Sequence, residues 1–419
     1  MFKFLHTADI HLDSPLRGLE SYEDAPVEQI RQATRRAFDN LVDLAIEEAV
    51  AFVLIAGDLY DGDWKDYHTG LFFINGMSRL RKEGIRVFLV SGNHDAASQI
   101  TKSLQLPDNV IQFPTHKAST EIIEALHVAV HGRGYESRVV SENLVLDYPR
   151  SLTSFFNIGL LHTSLNGRAG HEPYAPCTVD DLTSRGYDYW ALGHVHLFET
   201  VRQEPWIVFP GNIQGRHIRE TGAKSATLVT VEEGRIVDVR QREVDVLRWS
   251  VCDVDVSGCE TVDHVIQLVR VALDDIQQQA GARTLAVRLN IVGAGPIHSR
   301  LQEESNPLTE IFRGITTGLG DMWLEKVRFR TRRAAPVEST LGEESPIAGL
   351  MQAVATLELN TESILRLSPE IASLKSKLPA EFLKNDDSYL SEDPQLLAEL
   401  NSDVRELLIA KLLKHGSGT

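Results

Sequence analysis

The chain has 419 residues, a formal net charge of −17, 42% hydrophobic and 24% charged residues, which predicts two or three globular domains rather than one core or a disordered chain. The acidic balance argues against a protein that coats nucleic acid generally, although a metal centre or a local basic patch can still attract phosphate. No apolar run approaches a membrane span, the N-terminal run is too short for a signal peptide, and three cysteines (Cys177, Cys252, Cys259) build no disulfide framework, so a cytoplasmic protein that does not engage membranes is expected.

Short apolar runs rich in β-branched and aromatic residues recur along the first half: Phe2 to Leu5, Phe52 to Ile55, Ile85 to Val90, Ile158 to Leu161 and Tyr187 to Leu192. They read as buried strands of an α/β sheet. Pro26 to Ala51 has apolar residues at helical spacing (Ala37, Phe38, Leu41, Leu44, Ala45), and Lys65 to Lys82 repeats the pattern, so β-α-β units are expected. Trp206–Phe209, Ala226–Val231 and Ile236–Val244 read as further strands, and Gly234 supplies a hairpin turn between the last two. These residues form a domain over 1–245. Composition shifts after about residue 246. Strands at Trp249–Val256, Leu285–Val292 and Met322–Phe329, a helix at Thr261–Ala280 and a helix start at Asn306-Pro307 predict a small α+β capping domain over 246–333. Residues 334–346 read as a linker and 347–419 as a helical C-terminal region, with an apolar stripe at Leu396, Leu400, Val404 and Leu407.

Each of the five strands in the first half is closely followed by residues that bind metals. In order these are Asp9-Ile10-His11, Gly57-Asp58, Gly92-Asn93-His94-Asp95, His162 and Gly193-His194-Val195-His196. Singly, most are weak: Asp-x-His or Gly-Asp is ordinary turn chemistry, and a lone histidine is more often a satisfied core residue than a ligand. Gly-His-x-His is harder to explain as packing, because two imidazoles two residues apart share one side of an extended segment. Their joint occurrence at strand ends, where α/β sheets gather ligands, points to one metal centre. Carboxylate, amide oxygen and imidazole without thiolate suit Mn²⁺, with Fe²⁺ or Zn²⁺ as alternatives. Two such ions about 3.5–4 Å apart, bridged by a carboxylate, activate a water for attack on phosphorus.

These motifs resemble those of the calcineurin-like metallophosphoesterases across residues 1 to about 215. Thr7 to Leu12, Ala56 to Asp61, Tyr189 to His196 and Phe209 to His217 are similar to the bacterial SbcD-type DNA repair nucleases and their YhaO-like branch. The resemblance implies a metallophosphoesterase sheet core flanked by helices. It implies that Asp9, His11 and His196 hold one metal, that Asn93, His162 and His194 hold the other, and that Asp58 bridges them. It makes His94 the group facing the scissile phosphate and Asp95 the carboxylate that orients it. Where some such nucleases carry a histidine, this chain has Asp61, and His68, His171 or His217 are candidate substitutes. The activity implied is Mn²⁺-dependent DNA hydrolysis, with a coiled-coil SbcC-like ATPase as partner and a homodimer as assembly. The alternatives are a phosphoesterase for a small molecule or a phosphoprotein, and a non-enzymatic assembly subunit. The basic stretches Arg216-His217-Ile218-Arg219 and Arg328 to Arg333 are either phosphate contacts or solvated faces.

Overall fold

The structure, a computed structural model, describes residues 1–14, 32–61, 67–96, 105–165, 174–281, 283–333 and 408. The expected helix starts at Pro26 and Lys65, His171, the linker and the C-terminal helix other than Leu408 lie outside the described residues. No described helix is long and apolar enough to cross a membrane.

The motif-bearing strands divide between two sheets rather than sharing one, which corrects the single-sheet expectation. In the first, β1 (Phe2–Thr7), β2 (Phe52–Ala56), β3 (Arg86–Val90) and β4 (Val110–Gln112) run parallel. The antiparallel strands β11 (Ser225–Glu232) and β12 (Arg235–Glu243) extend this sheet beyond β1. Leu5 lies opposite Val53, Val53 opposite Val87, and Val87 opposite Val110, so one apolar row crosses four strands. In the second, β6 (Val128–Gly132), β7 (Phe156–His162), β8 (Tyr189–Gly193) and β10 (Trp206–Phe209) are parallel, edged by antiparallel β5 (Ser119–Ile123) and β9 (Glu199–Gln203).

Strand periodicity explains the division. Alternate residues Phe4, Phe52, Leu54 and Phe88 of the first sheet pack in one buried cluster with Val130, Ile158, Leu160, Tyr189 and Val208 of the second. The other face of the first sheet (Leu5, Val53, Ile55, Val87) is covered by α1 (Ala33–Glu47) and α2 (Tyr67–Lys82) through Phe38, Leu41, Phe73 and Met77. The other face of the second sheet buries Trp190, Leu192 and Ile207 under Tyr148 and under Leu182 of the short helix α4 (Val179–Thr183). A single turn, α3 (Asn93–Ala96), follows β3. Strands buried on both faces read as unbroken apolar runs, and such runs do not say which sheet a strand joins. The β11–β12 hairpin turns on Glu233 and Gly234, both at positive φ, as a two-residue connection requires.

A third sheet has the order β13 (Leu247–Asp255), β14 (Thr284–Ala294), β15 (Met322–Arg332). It is accompanied by α5 (Val262–Ala280), α6 (His298–Glu303) and α7 (Ser305–Leu319). Helix α7 opens at Ser305, so Asn306 and Pro307 sit inside its first turn rather than at its start. The chain separates into two compact units, one of Met1–Val254, Ile266–Ile291 and Asn306–Arg328, the other of Asp255–Val265, Val292–Ser305 and Phe329–Thr419. The division crosses β13, β14 and β15. Within the first unit, Leu247, Trp249 and Ala286 bury themselves with Ala33.

Candidate metal centre

The carboxyl ends of β1, β2, β3, β7 and β8 converge. Asp9 and His11 follow β1 and are tied to the segment after β2, with Asp9 N donating to Gly57 O (3.0 Å) and His11 N to Asp58 O (3.0 Å). Asn93 opens α3 after β3, His162 is the last residue of β7, and His194 and His196 follow β8, where His162 pairs with Gly193. Two motif glycines permit this approach. A Cβ on Gly193 would collide with the Ala56 carbonyl, and one on Gly57, at φ +90°, would collide with the His162 ring. Asp9 (φ 50°), His11 (φ 44°), Asp58 (φ 52°) and His194 (φ 106°) also occupy positive φ. Each such conformation costs on the order of 1–3 kcal/mol, and this strain concentrates at the convergent side chains.

The donor atoms form three overlapping groups, two that share Asp9 and a third of His11, Asp61 and His94. Ligand atoms of Asp9, His11 and His196 lie within 4.8 Å of one another, as do those of Asp9, Asp58 and His162. His162 Nδ1 donates to Ala56 O at 2.9 Å, because a carbonyl can only accept. With Nδ1 so engaged, Nε2 is the atom left to ligate a metal, and it faces Asn93 Oδ1 at 3.0 Å and Asp58 Oδ2 at 3.5 Å. His196 is fixed the same way: Nδ1 is bonded to Glu220 Oε1 at 2.7 Å, and Nε2 faces His11 Nε2 at 3.3 Å and Asp9 Oδ1 at 3.7 Å. Asp58 Oδ2 also lies 3.9 Å from His11 Nε2, so this oxygen faces both sets. His194 donates its backbone N–H to Asp9 Oδ2 (2.9 Å), and its ring stands edge-on to His162 at 5.2 Å. All seven expected ligands thus lie at one place.

The electrostatics fit a cation. Burial, followed by the neighbouring Asp58 charge, pushes the Asp9 carboxyl well above its ordinary range. Burial, followed by the Arg216 charge, pushes His11 and His196 down, so both rings favour the neutral, ligating form. Asp9 Oδ1 and His11 Nδ1 are buried without a hydrogen-bond partner. Lone pairs crowded together with buried anions and no proton to share are what divalent metals satisfy. The residues present therefore fit two ions held by carboxylate, amide and imidazole.

Asp95 differs from expectation in the contacts it makes. Asp95 is buried and accepts backbone N–H groups from Gly92 (2.9 Å), Tyr60 (3.0 Å) and Leu59 (3.2 Å). It braces the turns after β2 and β3 and does not orient His94. The carboxylate that does is Asp61, whose Oδ1 lies 3.0 Å from His94 Nδ1. Asp61 Oδ2 in turn accepts from Ser14 Oγ at 2.6 Å. Burial alone would lower the His94 pKa, but the bond to Asp61 and the Asp58 charge outweigh it and hold the imidazole above its ordinary value. Of the candidate substitutes for a histidine at position 61, His68 is exposed on α2 and His217 Nε2 lies 3.6 Å from Glu220.

Glu220 carries no signal in the sequence, yet it is built into the centre. Besides holding His196, it accepts from Asn212 Nδ2 (2.9 Å) and from Arg216 N (2.7 Å). Burial would raise its carboxyl pKa, but His196 and Arg216 keep it far below the ordinary carboxylate range. Such a carboxylate fixes the ligand tautomer and raises its basicity. We expect Glu220→Gln to weaken Mn²⁺ binding about tenfold, the low end for losing such a partner because the amide oxygen still accepts from His196. Mn²⁺ titration calorimetry checks this, and wild-type affinity in the variant would contradict it.

Comparison with known proteins agrees with this geometry. Residues 2–198 match the profile of the calcineurin-like phosphoesterase family, and residues 249–332 match that of the metallophosphoesterase YhaO middle domain. The chain is 37% identical over 299 residues to the uncharacterized metallophosphoesterase YhaO of Bacillus subtilis, covering 70% of this chain and 72% of that protein. It is 24% identical over 301 residues to the DNA double-strand break repair protein Mre11 of Methanopyrus kandleri (64% of this chain, 62% of that protein). Identity to Mre11 of Archaeoglobus fulgidus is 27% over 240 residues (52% and 51%). The chain therefore spans less than two thirds of the length of these two Mre11 proteins.

Proposed function

The chain belongs to the calcineurin-like phosphoesterase family, and we propose that it is a Mn²⁺-dependent phosphodiesterase that cuts DNA. The observation that carries this reading is Asp58 Oδ2, one buried carboxylate oxygen that faces both His11 and His162. Asp9, His11 and His196 would hold one ion and Asn93, His162 and His194 the other, with Asp58 between them. When bound, the pair supplies Lewis-acid stabilisation of the phosphoryl group and an activated water.

The chain's own residues do the rest. Glu220 and the Ala56 carbonyl lock His196 and His162 in the tautomers that present Nε2. Asp61 favours the protonated form of His94 and takes up Nδ1, which leaves Nε2 to donate to the departing oxygen. Asp95 and the strand-end turns hold this constellation rigid.

A DNA substrate draws its support from the Mre11 relatives, named as DNA double-strand break repair proteins. The net charge of −17 favours a second reading, a phosphoesterase for a small molecule or phosphoprotein. An ATPase partner and a homodimer belong to the first reading, with residues 347–419 as the proposed docking region. The test is end-labelled linear duplex DNA incubated with the protein and Mn²⁺ across a salt series. We expect degradation that stops on chelation and weakens steeply with salt. Intact DNA beside hydrolysis of bis(p-nitrophenyl) phosphate would move the assignment to the second reading.

A further inference from the structure

The segment after β10 carries none of the expected ligands, yet it reaches the centre. Its backbone is held firmly: Gln214 Nε2 donates to Leu247 O at 2.6 Å, and Trp249 Nε1 donates to Gly215 O at 3.0 Å. A Cβ on Gly215 would press on the Glu220 carbonyl, so the chain folds back tightly here. The next residue, Arg216, leaves its side chain 15% exposed.

Its guanidinium lies between the carboxylates that orient the two histidines. Nη2 donates to Glu220 Oε1 (3.3 Å) and lies 3.3 Å from His196 Nδ1, whereas Nη1 stands 3.7 Å from Asp61 Oδ2. Nε is buried with no hydrogen-bond partner. The Asp61 contact is an ion pair longer than a hydrogen bond. Guanidinium offers five N–H donors and no lone pair, so the donors its neighbours leave over can take only an anion or another acceptor. They lie beside His94 and His196, whose side chains are 28% and 23% exposed, more open than the buried ligands His11 and His162.

We propose that Arg216 is the phosphate-binding residue of this centre, held in place by Glu220 and Asp61 and donating to a non-bridging oxygen of the substrate phosphate. The inference rests on the phosphoesterase reading for the chemistry of its ligand. It does not depend on whether that phosphate belongs to DNA. The competing role is a structural tie that only neutralises the two carboxylates.

The probe is inorganic phosphate, titrated by calorimetry into the Mn²⁺-loaded full chain, with metal content measured for each protein. Arg216→Ala is expected to weaken phosphate binding about 100-fold and Arg216→Lys about 10-fold, since lysine keeps the charge but not the fork of donors. Both variants should retain bound metal, and KM for bis(p-nitrophenyl) phosphate should rise more than kcat falls. If Arg216→Ala does not fold, Arg216→Lys carries the test, because it still neutralises Glu220 and Asp61. Wild-type phosphate affinity in a folded, metal-loaded Arg216 variant would overturn the proposal, as would a wild-type chain that binds no phosphate. Arg216-dependent phosphate binding in a protein that cuts no DNA would uphold the clamp and refute the nuclease reading.

Discussion

Replacing Asp58 by alanine lowers phosphodiester turnover by about 10³-fold or more, and no excess of Mn²⁺ restores it. The expectation follows from the position of one oxygen. Asp58 Oδ2 is the contact common to His11 and His162, so its loss would remove a donor from both proposed ions together. Asp58 Oδ1 accepts the His94 backbone N–H at 3.0 Å, and alanine would also loosen the turn that carries Asn93. An asparagine side chain would keep that bond, so Asp58→Asn separates the two effects and should be nearly as inactive. Asp58 also crowds Asp9, whose carboxyl burial and the Asp58 charge push up. In chelator-treated protein, Asp58→Asn should therefore raise Tm, as removing a functional like-charge pair does. Steady-state hydrolysis of bis(p-nitrophenyl) phosphate and thermal unfolding check both halves. Substantial turnover in Asp58→Asn would mean that the bridge has been misplaced.

His94→Ala is the complementary variant, expected to lose about 10²–10⁴-fold in kcat while retaining both ions. His94 is absent from the two groups that share Asp9; it groups instead with His11 and Asp61, where Asp61 Oδ1 already lies 3.0 Å from its Nδ1. Its ring stands at right angles to His11 at 5.1 Å, so it adjoins the metal ligands. Its pKa is raised by the Asp61 bond and the Asp58 charge against the opposing effect of burial. A group with a raised pKa acts as an acid below that pKa and fails as pH rises through it. Activity should accordingly fall on the alkaline side, and Asp61→Asn should move that fall to lower pH. Metal loss in His94→Ala, measured by elemental analysis, would show that the residue is a ligand instead.

The convergence of the candidate ligands is legible because each closely follows an apolar run and strand ends in such folds gather chemistry. Asn93, His162 and His194 gain meaning only together, and the pairing of His162 with Gly193 shows why. The sheet assignment was not legible, since Phe4, Ile158 and Tyr189 are equally apolar whichever sheet they join. The orienting carboxylate was misread for a local reason. Asp95 sits in the first turn of α3, where it reaches back to the Gly92 N–H as helix-start aspartates do. Asp61 is the residue that looked like a departure from pattern, and only the folded chain brings it to His94. Glu220 lies in an irregular segment with no periodicity, so nothing in the sequence ranks it above other surface charges, and Arg216 stands out only as part of a basic stretch that the sequence leaves open between phosphate contact and solvated face.

Every role assigned to these residues depends on a centre for two ions bridged by Asp58. Its presence is read most simply from the metal content of the full chain after Mn²⁺ loading and removal of free ion, for wild type and for Asp58→Ala. About two ions per wild-type chain and fewer than about one in the variant are predicted. A wild-type chain that holds a single ion, or an Asp58→Ala chain that still holds two, would contradict it.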